Sequence, residues 1–143
     1  MSFPLVVLDA SAALALLLAE EEGAEVATVI EESIGQNGQI FVPGVFWYEL
    51  GNGILNAERR NRMKRQEVTA AERYFNRLPI VTHTLSDPAS RQSTYELARK
   101  HELSYYDASY LELALRNQAP LTSCDTHLAR LKSIYPQVFP GTV

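Results

Sequence analysis

The sequence predicts a three-layer α/β protein, with a central, mostly parallel sheet of four or five strands and helices on both faces. Three observations support this. Short apolar runs, too brief for helices, alternate along the chain with longer segments of helical period. The strand-like runs lack the in–out alternation of a half-exposed sheet, so they read as strands covered on both sides, as in parallel sheets flanked by helices. The length of 143 residues, with 46% hydrophobic and 21% charged residues, suits one domain with a sizeable core.

Each element follows in turn. "LVVLD" (5–9) is a buried strand. "SAALALLLAE" changes to Ala and Leu, strong helix formers, with Ser11 placed to cap. A second helix follows Gly23 and stops near "GQNG"; "QIFVP" (39–43) is the next strand, ended by Pro43. From Gly44 to about Arg60 the pattern is helical despite Gly51 and Gly53, and "RNRMKR" turns out of it. "QEVTAAERYFNRL" is an amphipathic helix closed by Pro79, "IVTHTL" (80–85) a strand, and Pro88 opens another helix. The segment with "SYYDASYLELA" is helical, "PLTSCD" (120–125) a short strand and "THLARLKSIY" a last helix. The tail "PQVFPGTV" either adds an edge strand or stays loose. The whole reads as a single domain over 1–143, without internal repeat, linker or low-complexity tract.

Composition excludes some functions. A formal net charge of −4 and a pI near 5.4 argue against holding nucleic acid by bulk electrostatics, leaving open a local basic patch or bound cations. Cys124 stands alone, so no intrachain disulfide forms and a cytoplasmic location is expected. The apolar run from Ala10 to Ala19 is half a membrane span, and neither a signal peptide nor a transmembrane helix is expected.

Ligands of open parallel sheets bind beyond the carboxyl ends of the strands, where strand order reverses. Asp9 and Asp125 each fall at the carboxyl end of a strand, hence on one rim. Asp107 opens the helix that precedes the strand of Asp125, and a helix leading into a strand begins at the rim where that strand ends. Glu49 lies in the first turns of the helix after the second strand, with Asn52 and Asn56 on the same stripe. Taken singly, each acid is most economically a structural residue: Asp107 part of a capping box with Ser104, Asp125 and Asp9 N-caps, Glu49 a solvated side chain. Taken together, four acids on one rim with no flanking Lys or Arg repel one another unless something cationic sits there. An all-oxygen set favours Mg²⁺ or Mn²⁺ over zinc. His83, His101 and His127 lack a paired metal-ligand spacing and read as structural or surface residues. Ser11 and Ser123, two residues from Asp9 and Asp125, suit either a supporting hydroxyl or a turn.

These blocks carry a resemblance. "VVLDASAALALLL", "FVPGVFWYELGNGIL", "LSYYDASYLELALRN" and "APLTSCDTHLARL" together resemble the PIN domain, and most closely the VapC-type toxins of bacterial toxin–antitoxin pairs, in order and over nearly the whole chain. The resemblance implies a PIN fold, Mg²⁺- or Mn²⁺-dependent endoribonuclease activity on an RNA substrate, homodimers and a cognate antitoxin. It makes Asp9, Glu49, Asp107 and Asp125 the acidic quartet, with Asp9, Asp107 and Asp125 as metal ligands and Ser11, Asn52 and Ser123 in support. Cys124 falls at a variable position and reads as a small apolar residue.

The run "RRNRMKR" contributes Arg59, Arg60, Arg62, Lys64 and Arg65. It reads as a solvated turn, a guide for RNA phosphates or, on the resemblance, an antitoxin contact. Phe46, Trp47, Tyr48, Tyr105 and Tyr106 divide between stacking on bases and packing in the core or against a protein partner. A receiver-type phosphoacceptor domain needs an acidic pair by the first strand and a late Lys, both missing here. A dehalogenase-type phosphatase needs Asp-x-Asp where "DAS" offers Ser11. A catalytically silent PIN-type adaptor is the remaining alternative, and the intact acids weigh against it.

Overall fold

The computed structural model describes residues 4–140. Its sheet has four strands, β1 (Leu5–Leu8), β2 (Gln39–Pro43), β3 (Ile80–His83) and β4 (Leu121–Thr122), in the order β3-β2-β1-β4. Every pairing is parallel, with Val6 opposite Ile40, Phe41 opposite Val81 and Val7 opposite Leu121. The expected parallel sheet is therefore present, at the lower strand number.

The helices are α1 (Ala10–Leu17), α2 (Gly23–Gly35), α3 (Val45–Arg59), α4 (Arg65–Arg77), α5 (Pro88–His101), α6 (Tyr105–Asn117) and α7 (Thr126–Ala129). Right-handed crossovers place them. Stepping from β1 to β2 to β3 moves across the sheet one way and lays α1–α4 on one face. The return from β3 to β4 lays α5 and α6 on the other, where α6 packs on β1, β2 and β4 and α5 packs on α6. Helix α6 is the most enclosed of them, buried from Ala108 through Ala114. Strand order reverses between β1 and β4, so the crevice lies at the carboxyl ends of those two strands.

Several local expectations are refined by the structure. Helix α1 is capped by Asp9, whose Oδ1 accepts from Ala12 N at 2.9 Å, while Ser11 lies inside the first turn. Strand β3 ends at His83 instead of Leu85. The last helix is one turn, Thr126–Ala129; beyond it the chain tightens into three-residue turns, such as Leu131 N to Leu128 O at 3.0 Å. Arg130 leaves the helix surface there to donate to the carbonyl of His101 at 2.5 Å, and Tyr135 hydrogen-bonds His101 Nε2 at 2.8 Å. Residues 136–140 form turns and no edge strand; Gly141, Thr142 and Val143 lie outside the described residues.

The two glycines of α3 differ in cause. A Cβ on Gly53 would stand 2.3 Å from Leu14 Cδ1, so this residue lets α3 lie close against α1. A Cβ on Gly51 would meet nothing within 4 Å.

Candidate active site

Asp9 leaves β1 into the crevice and is only 3% exposed. Both of its oxygens accept hydrogen bonds. Ser11 Oγ donates to Oδ1 at 2.7 Å, and Ser123 Oγ donates to Oδ2 from 114 residues away. Ser11 Oγ also accepts from Cys124 N at 2.9 Å, and Ser123 Oγ accepts from Asp125 N at 3.0 Å. The two serines thus stitch the start of α1 to the loop after β4. Burial pushes the Asp9 carboxyl up to about 6, against the pull of these hydrogen bonds and with the Asp125 charge adding to the rise.

Asp125 caps α7, its Oδ1 accepting from His127 N at 2.7 Å. Asp107 lies in the first turn of α6 and is half-buried. Its backbone N–H donates to the N-cap Ser104 Oγ at 3.0 Å. Its carboxyl is raised first by burial, then by the charges of Asp125 and Glu49, and is opposed by His127 and Ser104. Ser104, and not the Asp107 carboxylate, is thus the cap of α6, and the Asp107 side chain is left to feel the charges of Asp125 and Glu49. Glu49 Oε1 accepts a hydrogen bond from Tyr110 Oη at 2.6 Å. Asn52 lies one turn along α3 from Glu49 and, with it, lines an open cleft of about 360 Å³ completed by Val45, Tyr48 and Tyr106.

The four acids therefore stand within electrostatic reach of one another in a chain, Asp9 to Asp125 to Asp107 to Glu49. No Lys or Arg neutralises them: the ion pairs among the described residues are Arg62–Glu20 at 2.7 Å and Arg116–Glu112 at 2.8 Å. The donor set suits a hard divalent cation, being all oxygen, negatively charged and without a Lys or Arg paired to it among the described residues. Among the described residues no three His, Cys, Asp or Glu side chains stand close enough to hold an ion directly. Direct ligation by the whole set thus requires the carboxylates to draw in; the alternative is a hydrated ion held through its waters, of which Mg²⁺ usually keeps several.

One neighbour of the acids is not named by the sequence reading. Tyr110 is buried and hydrogen-bonded to Glu49, and burial with the adjacent carboxylate holds its phenol far above the usual range, so it acts as a donor. Its signal was present: it lies three residues after Asp107, on the same helical face. His127 reads from sequence as a surface residue, and it is exposed; its backbone N–H donates to Asp125. The basic run lies at the turn from α3 to α4, where Arg59, Arg60, Arg62, Lys64 and Arg65 are all exposed. Arg62 is spent on Glu20 in the loop after α1, tying the hairpin to it. Cys124 is half-buried, and its thiol is pushed up to about 11 by burial and nearby carboxylates, which makes it unreactive.

Comparison with known proteins agrees with the fold. The family model of the PIN domain matches residues 6–134. Ribonuclease VapC3 of Pyrobaculum aerophilum is 27% identical over 127 residues, covering 86% of this chain and 91% of that protein. The crystal structure of PAE2754 from Pyrobaculum aerophilum superposes with a TM-score of 0.62 at 20% identity, over 98% of this chain and 88% of the other. VapC20 of Mycobacterium tuberculosis, described as a sarcin–ricin loop cleaving toxin, superposes with a TM-score of 0.59 at 12% identity, over 87% and 94%.

Proposed function

The chain belongs to the PIN-domain family, and from that premise we propose that it is a Mg²⁺- or Mn²⁺-dependent endoribonuclease, the toxin of a type II toxin–antitoxin pair. The observation that carries the proposal is the crevice at β1 and β4, where Asp9, Asp125, Asp107 and Glu49 gather without a neutralising Lys or Arg. The VapC3 likeness favours RNA as substrate. A cytoplasmic homodimer held in check by a cognate antitoxin belongs to the same proposal; no helix of the described residues is long and apolar enough to cross a membrane.

Asp9, Asp107 and Asp125 are the residues that would hold the ion. When bound, it supplies the positive charge that a phosphodiester needs as negative charge builds at its oxygens. The chain's own contributions are positional. Ser11 and Ser123 fix both oxygens of Asp9, so its carboxylate enters the crevice in one orientation. Tyr110 occupies one oxygen of Glu49 and leaves the other to orient and deprotonate a water attacking in line. Asp107 and Asp125, at two helix starts, set the opposite wall.

The test is cleavage of total cellular RNA, with 5′ ends mapped, by the wild-type chain and by Asp107→Asn. Mg²⁺-dependent cutting that the variant loses by about a hundredfold or more, while its circular dichroism is unchanged, is the expected result. A variant that cuts at the wild-type rate refutes the assignment. The lack of three acids in direct ligand range favours a second reading, the catalytically silent adaptor. RNA or protein binding without any metal-dependent cleavage would establish it.

A further inference from the structure

We propose that the cleft between α3 and the start of α6 receives an unpaired nucleobase of the RNA strand, next to the phosphodiester at the acids. The inference rests on the nuclease reading and adds a base-binding subsite to it.

Its first support is the state of two tyrosines. Tyr48 is 82% exposed and Tyr106 is 60% exposed. Every other aromatic side chain among the described residues has a polar, ring or electrostatic contact: Trp47 donates to Thr82 Oγ1 at 2.9 Å, Tyr95 stacks edge-on with Tyr105, and Tyr110 holds Glu49. The side chains of Tyr48 and Tyr106 have none. Large rings left in water without a partner are poor structural choices but good platforms for a planar ligand.

Location identifies the ligand. Both tyrosines line the cleft of about 360 Å³ that also contains Glu49 and Asn52, and each directly precedes a site acid in sequence. A nucleotide whose phosphate lies at the acids therefore carries its base towards this cleft. Charge selects the base over the backbone, because Glu49 repels a phosphate but tolerates a neutral ring. Tyrosine faces stack on any base, and the Asn52 carboxamide offers both a donor and an acceptor to a base edge. Bases paired within an A-form helix are stacked and withheld, so only an unpaired nucleotide reaches the cleft.

The experiment uses Tyr48→Ala and Tyr106→Ala beside Tyr48→Phe and Tyr106→Phe, in the full chain. Two substrates are compared: a short single-stranded RNA containing a mapped cut site, and bis(p-nitrophenyl) phosphate, a phosphodiester without bases. Each Ala variant should lose about tenfold or more in kcat/KM on RNA and several times less on the base-free diester, with Phe restoring most of the RNA rate. An abasic residue beside the cut should bring Ala variants and wild type together. Equal losses on both substrates, or undiminished RNA cleavage, overturns the subsite. So does a loss confined to binding of a protein partner, which would make the tyrosines a protein contact. Fluorescence anisotropy of the same labelled RNA in Mg²⁺ separates the two layers. Ring-dependent binding by a chain that cuts nothing upholds the subsite and sinks the nuclease reading, whereas binding indifferent to the rings sinks the subsite.

Discussion

Replacing Asp9 by Asn should stabilise the ion-free protein while destroying its site. Burial holds this carboxyl at about 6 against an ordinary 3.8, so the ionised side chain opposes folding at neutral pH by about 3 kcal/mol. Below pH 3.8 both folded and unfolded chains are protonated and the effect is absent. Between 3.8 and about 6 the unfolded chain releases its proton while the folded chain keeps it, so wild-type stability falls as pH rises through this window. Above 6 the deficit is constant. Asn keeps the acceptor for Ala12 N and carries no charge, so it avoids the deficit. The gap between variant and wild type should therefore widen by about 3 kcal/mol from pH 3.5 to pH 7, whatever small offset the altered serine contacts add. For a chain of this length that is roughly 9 °C in Tm. Thermal melts of both proteins in EDTA across that range measure it. A gap that is flat or narrows as pH rises would refute the reasoning, because Asp9 is the one ionisable group that the substitution removes.

Further outcomes follow from the same geometry. Millimolar Mg²⁺ or Mn²⁺ should raise the melting temperature of the wild type by mass action on the folded state, and should do so far less for Asp125→Asn; equal shifts in scanning calorimetry would place the ion elsewhere. Tyr110→Phe removes the donor to Glu49 and should lower kcat on RNA more than it changes KM, at about 1 kcal/mol of stability in urea unfolding. Gly51→Ala, at an open helical position of α3, should stabilise by about 1 kcal/mol, whereas Gly53→Ala should not, because Leu14 stands in the way; urea midpoints decide between them.

The architecture was largely legible because it follows from periodicity. Ile40, Val42 and Phe46 are buried where the apolar pattern put them, and the acids reach one rim because right-handed crossovers leave little freedom. Errors arose where tertiary contacts override local pattern. "THLARLKSIY" has helical period, yet Arg130 and Tyr135 bond to His101 and its neighbours and tighten the chain. Gly53 looked like a weak helix residue until Leu14 supplied the reason for it. Within the site, Asp9, Ser11 and Ser123 could be grouped from sequence, but the direction of their bonds could not, since hydroxyl pairings depend on side-chain placement. The role of Tyr110 is not legible locally, because it rests on a hydrogen bond to Glu49, 61 residues away.

The stitching of Asp9 to Ser123 has a consequence for the protein's birth on the ribosome. Synthesis runs from the amino end, so a nascent chain holds Asp9 and Glu49 long before Asp107, Ser123 or Asp125 have emerged from the exit tunnel. During that interval β1 has no β4 beside it and the first carboxylate lacks its distant donor. Translation order therefore makes the acidic crevice a late feature of synthesis, completed only once the strand that carries Ser123 has emerged.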